Sequence, residues 1–79
     1  MPLRPKVREE LTRHGLIPAG EDTAESLRER LNDLYLADVR RLKERQRAGE
    51  IPLPDYARQV LALKESYPLL GLPLSLWSE

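Results

Sequence analysis

The chain contains no cysteine and one histidine, His14. Disulfide staples and thiolate metal sites are thereby excluded, and a lone imidazole cannot furnish a zinc cage, so neither metal nor other cofactor is expected. Charge of one sign is also missing, since thirteen basic residues face thirteen acidic ones. No global field draws the chain toward nucleic acid or an anionic membrane, and any such binding must be local. No apolar run approaches the roughly eighteen residues needed to cross a bilayer, and the basic N-terminus is not followed by a hydrophobic segment. The expectation is a cytoplasmic protein without a membrane partner. Internal repeats, low-complexity tracts and glycine-serine linkers are absent too.

Catalytic signatures are equally lacking. The glycines form neither a P-loop nor a dinucleotide fingerprint, and no serine lies in a nucleophile-elbow context. No small-molecule substrate site is evident, and the chain is not expected to be an enzyme. Ten of the thirteen basic residues are arginine, a profile compatible with a thermophile.

Seventy-nine residues leave room for one domain, with residues 1–79 forming a single core. A lone core of this size supplies only about 3–5 kcal/mol. Good helix packing or self-association as a homodimer is therefore required.

What the chain does contain is helical periodicity. Leu3, Val7, Leu11 and His14 recur at three to four residues and predict a first helix at about 5–14. Gly15 should end it in the left-handed conformation, with Leu16 over Leu11 and His14 near the negative end of the dipole. Asp22 and Glu25 have capping-box spacing ahead of a second helix at about 23–47. Ala24, Leu27, Leu31, Leu34, Tyr35, Val39 and Leu42 share its apolar stripe. At 1.5 Å per residue it outruns a compact domain of this size, so part of it should project or be covered by another subunit. Gly49 closes this helix, and Pro52 and Pro54 admit only the first turn of a third helix at about 53–66. Tyr56, Val60, Leu63 and Tyr67, widened by Ala57 and Leu61, form the stripe of that helix. The predicted fold is all-α: a short helix, then a long helix and a third in an antiparallel hairpin, with an apolar C-terminal tail packed on them.

The tail at 68–79 carries six large apolar side chains, and Gly71 and Pro73 break any helix there. Either it folds back across the hairpin and Trp77 seals one end, or it docks into a partner. Leu36 points away from the apolar stripe of the second helix, and Asp38 lies inside it. Asp38 is expected to bond Tyr35, Tyr56, Tyr67 or an arginine. Leu36, Tyr67, Leu72, Leu74 and Trp77 are the candidate partner-binding residues of a protein-interaction module. The alternative is a nucleic-acid binder using the basic cluster Arg40, Arg41, Lys43, Arg45 and Arg47, which no aromatic residue interleaves.

Residues 7–31, VREELTRHGLIPAGEDTAESLRERL, resemble the helix, extended loop, helix pattern of SAP-like DNA-binding motifs. The likeness is carried by Leu11, Gly15-Leu16, Pro18, Gly20, Leu27 and Leu31. Where that family commonly has a lysine after the loop glycine, this chain has Glu21 and Asp22. The resemblance implies a nucleic-acid contact near the first helix and loop, with Arg8 and Arg13 as the cations.

Overall fold

The computed structural model describes residues 3–78 and is all-α. Helix α1 spans Pro5–Arg13, α2 spans Ala24–Arg47 and α3 spans Leu53–Glu65, followed by short 3-10 turns at Pro68–Gly71 and Leu74–Leu76. Among the described residues, β pairing is confined to one antiparallel bridge between Leu3 and Ser78.

The chain forms two compact units. One comprises residues up to 32 together with those from 69 onward; the other comprises residues 33–68. Helix α2 contributes its first turns to one and the rest to the other.

In the first unit α1 begins at proline, whose missing N–H costs nothing in a first turn. It ends in a full Schellman motif. Gly15 sits at φ +81°, its N–H donates to Thr12 O, and the Leu16 N–H donates to Leu11 O at 2.8 Å. Leu16 and Leu11 are both buried, so the apolar contact expected of that ending has two sheltered partners. His14 is the C-cap residue.

The start of α2 differs from the sequence expectation by one residue. The N-cap is Thr23, not Asp22: the Ser26 N–H donates to Thr23 Oγ1 at 3.0 Å and the Thr23 N–H donates to Ser26 Oγ at 2.9 Å. This is a reciprocal capping box in which serine replaces the usual glutamate. Thr23→Ala should lower stability by about 1 kcal/mol, read from the denaturant midpoint.

Asp22 is released for another task. It accepts the Ala19 N–H at 2.9 Å, the Ser26 hydroxyl at 3.3 Å and the Arg30 guanidinium at 3.2 Å, folding the loop back on the helix. Its pKa lies below the ordinary 3.8, chiefly through the Ala19 backbone N–H, with the Arg30 charge and Ser26 assisting against partial desolvation. A carboxylate with a depressed folded pKa contributes its full stability above the unfolded value and loses it as pH falls through the folded value. Amide protection at Ala19 should therefore drop on acidification below about pH 4. The Asp22→Asn variant should show a flat profile over the same window, by hydrogen exchange.

The core of this unit is made by Leu11, Leu27, Leu31 and Trp77, all essentially removed from solvent. The C-terminal segment is tied in through its backbone. The Arg4 N–H donates to Trp77 O at 3.0 Å, Arg4 Nε donates to Ser78 O at 3.4 Å, and the Trp77 indole N–H donates to Leu72 O at 3.2 Å. The tail thus belongs with α1 and the first turns of α2. The cause is the extended stretch before α1, whose free backbone groups receive the last residues. Helical periodicity carries no information about such pairing.

Candidate functional site

In the second unit the remainder of α2 and α3 pack against each other. Gly49 at φ +79° ends α2 in a second Schellman motif, with the Glu50 N–H donating to Arg45 O at 3.0 Å. Pro52, extended at φ −60° and ψ 149°, then starts α3. So short a turn returns the chain antiparallel beside α2.

One polar tie crosses the hairpin. Tyr67 Oη donates to Asp38 Oδ2 at 2.7 Å, Arg41 pairs with Asp38 Oδ1 at 3.0 Å, and the Tyr67 ring meets Tyr35 edge-on at 5.4 Å between centroids. Asp38 therefore has the partners expected of a carboxylate placed in an apolar stripe, and both of its oxygens are engaged. The Tyr67 bond ties α2 to the residue two positions past the end of α3.

The apolar faces of this hairpin are poorly enclosed. Helix α3 has no buried residue at all, although Tyr56, Val60 and Leu63 recur along one side. Two helices can shelter only the strip between them, and a face of this width needs a further layer. One side of the strip is a shallow groove of about 520 Å³ lined by Asp38, Arg41, Leu42, Arg45, Gln59, Ala62 and Leu63. Steps of 100° per residue then place Leu36, Arg40, Lys43 and Arg47 of α2 on the opposite side, together with Leu53, Ala57, Leu61 and Lys64 of α3. On that side Leu53 is 65% exposed, Leu61 58% and Leu36 41%. Leu53 and Leu61 stand eight residues apart with Ala57 midway, and Glu65 continues the same four-residue series.

Of the residues singled out from sequence, Leu36 and Tyr67 belong to the second unit and Leu72, Leu74 and Trp77 to the first. Leu36 is exposed and lies on this face, whereas Trp77 and Tyr67 are buried and Leu72 and Leu74 are half-buried. Trp77 is an internal anchor of the first unit, held there by its indole hydrogen bond and the Arg4 backbone. Leu53 and Leu61 were missed as candidates. The signal was present in the spacing of Leu53, Ala57 and Leu61, four residues apart and turned roughly 90° from the Tyr56, Val60, Leu63 stripe. Leu61 also adjoins the core stripe and Leu53 falls at the start of α3, which obscures that spacing.

The basic cluster also divides. Arg41 and Arg45 border the groove and are paired with Asp38 and with Glu50, the latter at 4.0 Å, while Arg40, Lys43 and Arg47 lie on the leucine side. Five cations adjacent in sequence thus form two half-patches on opposite sides of one helix. Of the two cations carried over from the SAP-like resemblance, Arg13 is held by Glu10 Oε2 at 2.7 Å. Arg8 is at the rim of a cavity of about 410 Å³ that Ile17, Asp22 and Thr23 also line.

Among the described residues no group of three or more His, Cys, Asp or Glu side chains could hold a metal ion, and no helix is long and apolar enough to cross a membrane. The chain matches no family model, and no curated protein or solved structure is significantly similar to it.

Proposed function

We propose that this protein is a non-enzymatic helical interaction module whose working surface is the leucine side of the α2–α3 hairpin. The observation that carries the reading is the exposure of Leu36 on α2 and of Leu53 and Leu61, with Ala57 midway between them, on α3. Fully burying a leucine yields about 1.5–3 kcal/mol, so three of them in one partner interface supply a substantial driving force. Isolated exposed leucines are ordinary, but contiguous rows are features of binding surfaces. A rigid helical scaffold also lets such a row bind with little ordering cost.

The titratable groups support a non-catalytic role. Asp38 is engaged by Tyr67 and Arg41, and His14 terminates α1. The nucleic-acid reading draws less support, because the cluster that would contact phosphates is split between two sides of α2.

A photo-crosslinking amino acid placed at position 57 in the native cell tests the proposal. A discrete protein adduct that disappears when Leu53 and Leu61 are both changed to Asp is the expected result. Adducts with nucleic acid alone, or no adduct, would contradict it.

A further inference from the structure

The first unit carries a cavity of its own, lined by residues of α1, of the loop that follows it and of the first turns of α2. Its volume is about 410 Å³, and Leu3, Ile17, Pro18 and Leu27 line it together with Arg8 and Thr23. Both that size and a largely apolar lining with a few polar groups are those of small-ligand sites. We propose that this cavity binds a small amphiphilic carboxylate, its anionic head on Arg8 and its aliphatic body against Ile17, Pro18 and Leu27. The site belongs to the first unit and does not depend on the reading of the α2–α3 hairpin.

Three observations carry it. The first is the charge in the lining, where Arg8 and Asp22 are the two ionised residues. Asp22 is fully engaged, one oxygen accepting the Ala19 N–H and the Arg30 guanidinium and the other accepting the Ser26 hydroxyl. Arg8 has no ion pair among the described residues. One uncompensated cation therefore remains for a ligand anion. Thr23 Oγ1 accepts the Ser26 N–H, which leaves its own proton for a ligand oxygen. The second observation is Ile17, which lines the cavity and is nonetheless 76% exposed. A branched aliphatic side chain in water and an unpaired cation in one lining are both satisfied by a ligand with an apolar body and one negative charge. The third is that one wall is preformed. The Ala19 N–H donates to Asp22 Oδ2 at 2.9 Å and the Asp22 N–H donates to Ala19 O at 3.0 Å, so little ordering remains for the ligand to impose on that loop. Other ligand classes fit less well. A nucleotide finds no aromatic side chain in the lining on which its base could stack, and a cation finds no open carboxylate.

Amide chemical shifts of the intact protein test the site, with isocaproate, isocaproamide and a short acetylated peptide ending in leucine with a free carboxylate as probes. Isocaproate should shift the amides of residues 17–23 and saturate with a Kd of about 1 mM or tighter, the range open to so small a ligand. Isocaproamide has the same shape without the charge and should bind about tenfold or more weakly. Raising salt should weaken the acid and not the amide. Arg8→Gln should weaken isocaproate about tenfold and leave isocaproamide unchanged, whereas Ile17→Ser should weaken both. Both replaced side chains are exposed, so the urea midpoint should stay near that of the parent and a lost contact is distinguishable from a folding defect.

Tighter binding of the peptide than of isocaproate assigns the carboxylate to a protein C-terminus, and the reverse order assigns it to a free acid; either order supports the site. Equal binding of acid and amide overturns it, as does undiminished binding of isocaproate to Arg8→Gln. Shifts that leave residues 17–23 unmoved, or no saturable shift with either carboxylate, overturn it too.

Discussion

Trp77→Ala is expected to lower the unfolding free energy by about 3–5 kcal/mol, close to all that a single small core can supply. The indole has no solvent exposure and sits in the same unit as Leu11, Leu27 and Leu31, which are equally enclosed. Its removal leaves a cavity against rigid helices, and it abolishes the hydrogen bond to Leu72 O. The chain end that meets Arg4 through backbone pairing should then detach, because an isolated bridge has little stability of its own. Urea unfolding followed by circular dichroism reads the effect, which should be a large fall in midpoint or loss of cooperative folding. Trp77→Phe retains most of the apolar volume and should cost less. A melting curve unchanged by Trp77→Ala would mean that the tryptophan is not the keystone of its unit.

Changing Leu53 and Leu61 together to Asp should produce the opposite pattern, a folded protein that no longer docks. Both side chains are more than half exposed, so their loss removes little packing, and surface substitutions of this kind shift stability by about 0.5 kcal/mol or less each. Residue 53 is in the first turn of α3, where an added carboxylate interacts favourably with the helix dipole. Binding should suffer heavily, because each new carboxylate must be desolvated at the apolar centre of the interface. Retained binding in this variant with a normal melting temperature would remove the leucine row from the interface. The pair of experiments separates the two kinds of apolar cluster in the chain, one that holds it together and one that it presents.

Much of this fold is legible in the sequence, and the reasons are local. Gly15 and Gly49 both take positive φ at helix ends, since a glycine after an apolar-periodic run lowers the cost of a left-handed residue. Pro52 and Pro54 confine α3 to one start, and the mismatch of Asp38 with its stripe points to a part-buried polar tie, found with Tyr67. The cap of α2 shows the limit of local rules, because Asp22 and Thr23 are both good caps and the selection depends on which side chain the loop at Ala19 recruits. The docking of the tail depends on a backbone bridge between residues 75 positions apart, Leu3 and Ser78, to which no periodicity is sensitive. The proposed interaction surface is legible in part. Leu36 stands out because it interrupts a polar side of α2, whereas Leu53 and Leu61 adjoin an apolar stripe and can be told from it only once the second helix is in place to cover one flank and not the other.

Hydroxyl-radical footprinting of side chains in the free protein tests the central division most directly. The account predicts rapid oxidation of Leu53 and Leu61, with Trp77 unreactive despite the high intrinsic reactivity of indole. Ready oxidation of Trp77 in the folded protein, or leucines at 53 and 61 as unreactive as those of the core, would contradict it.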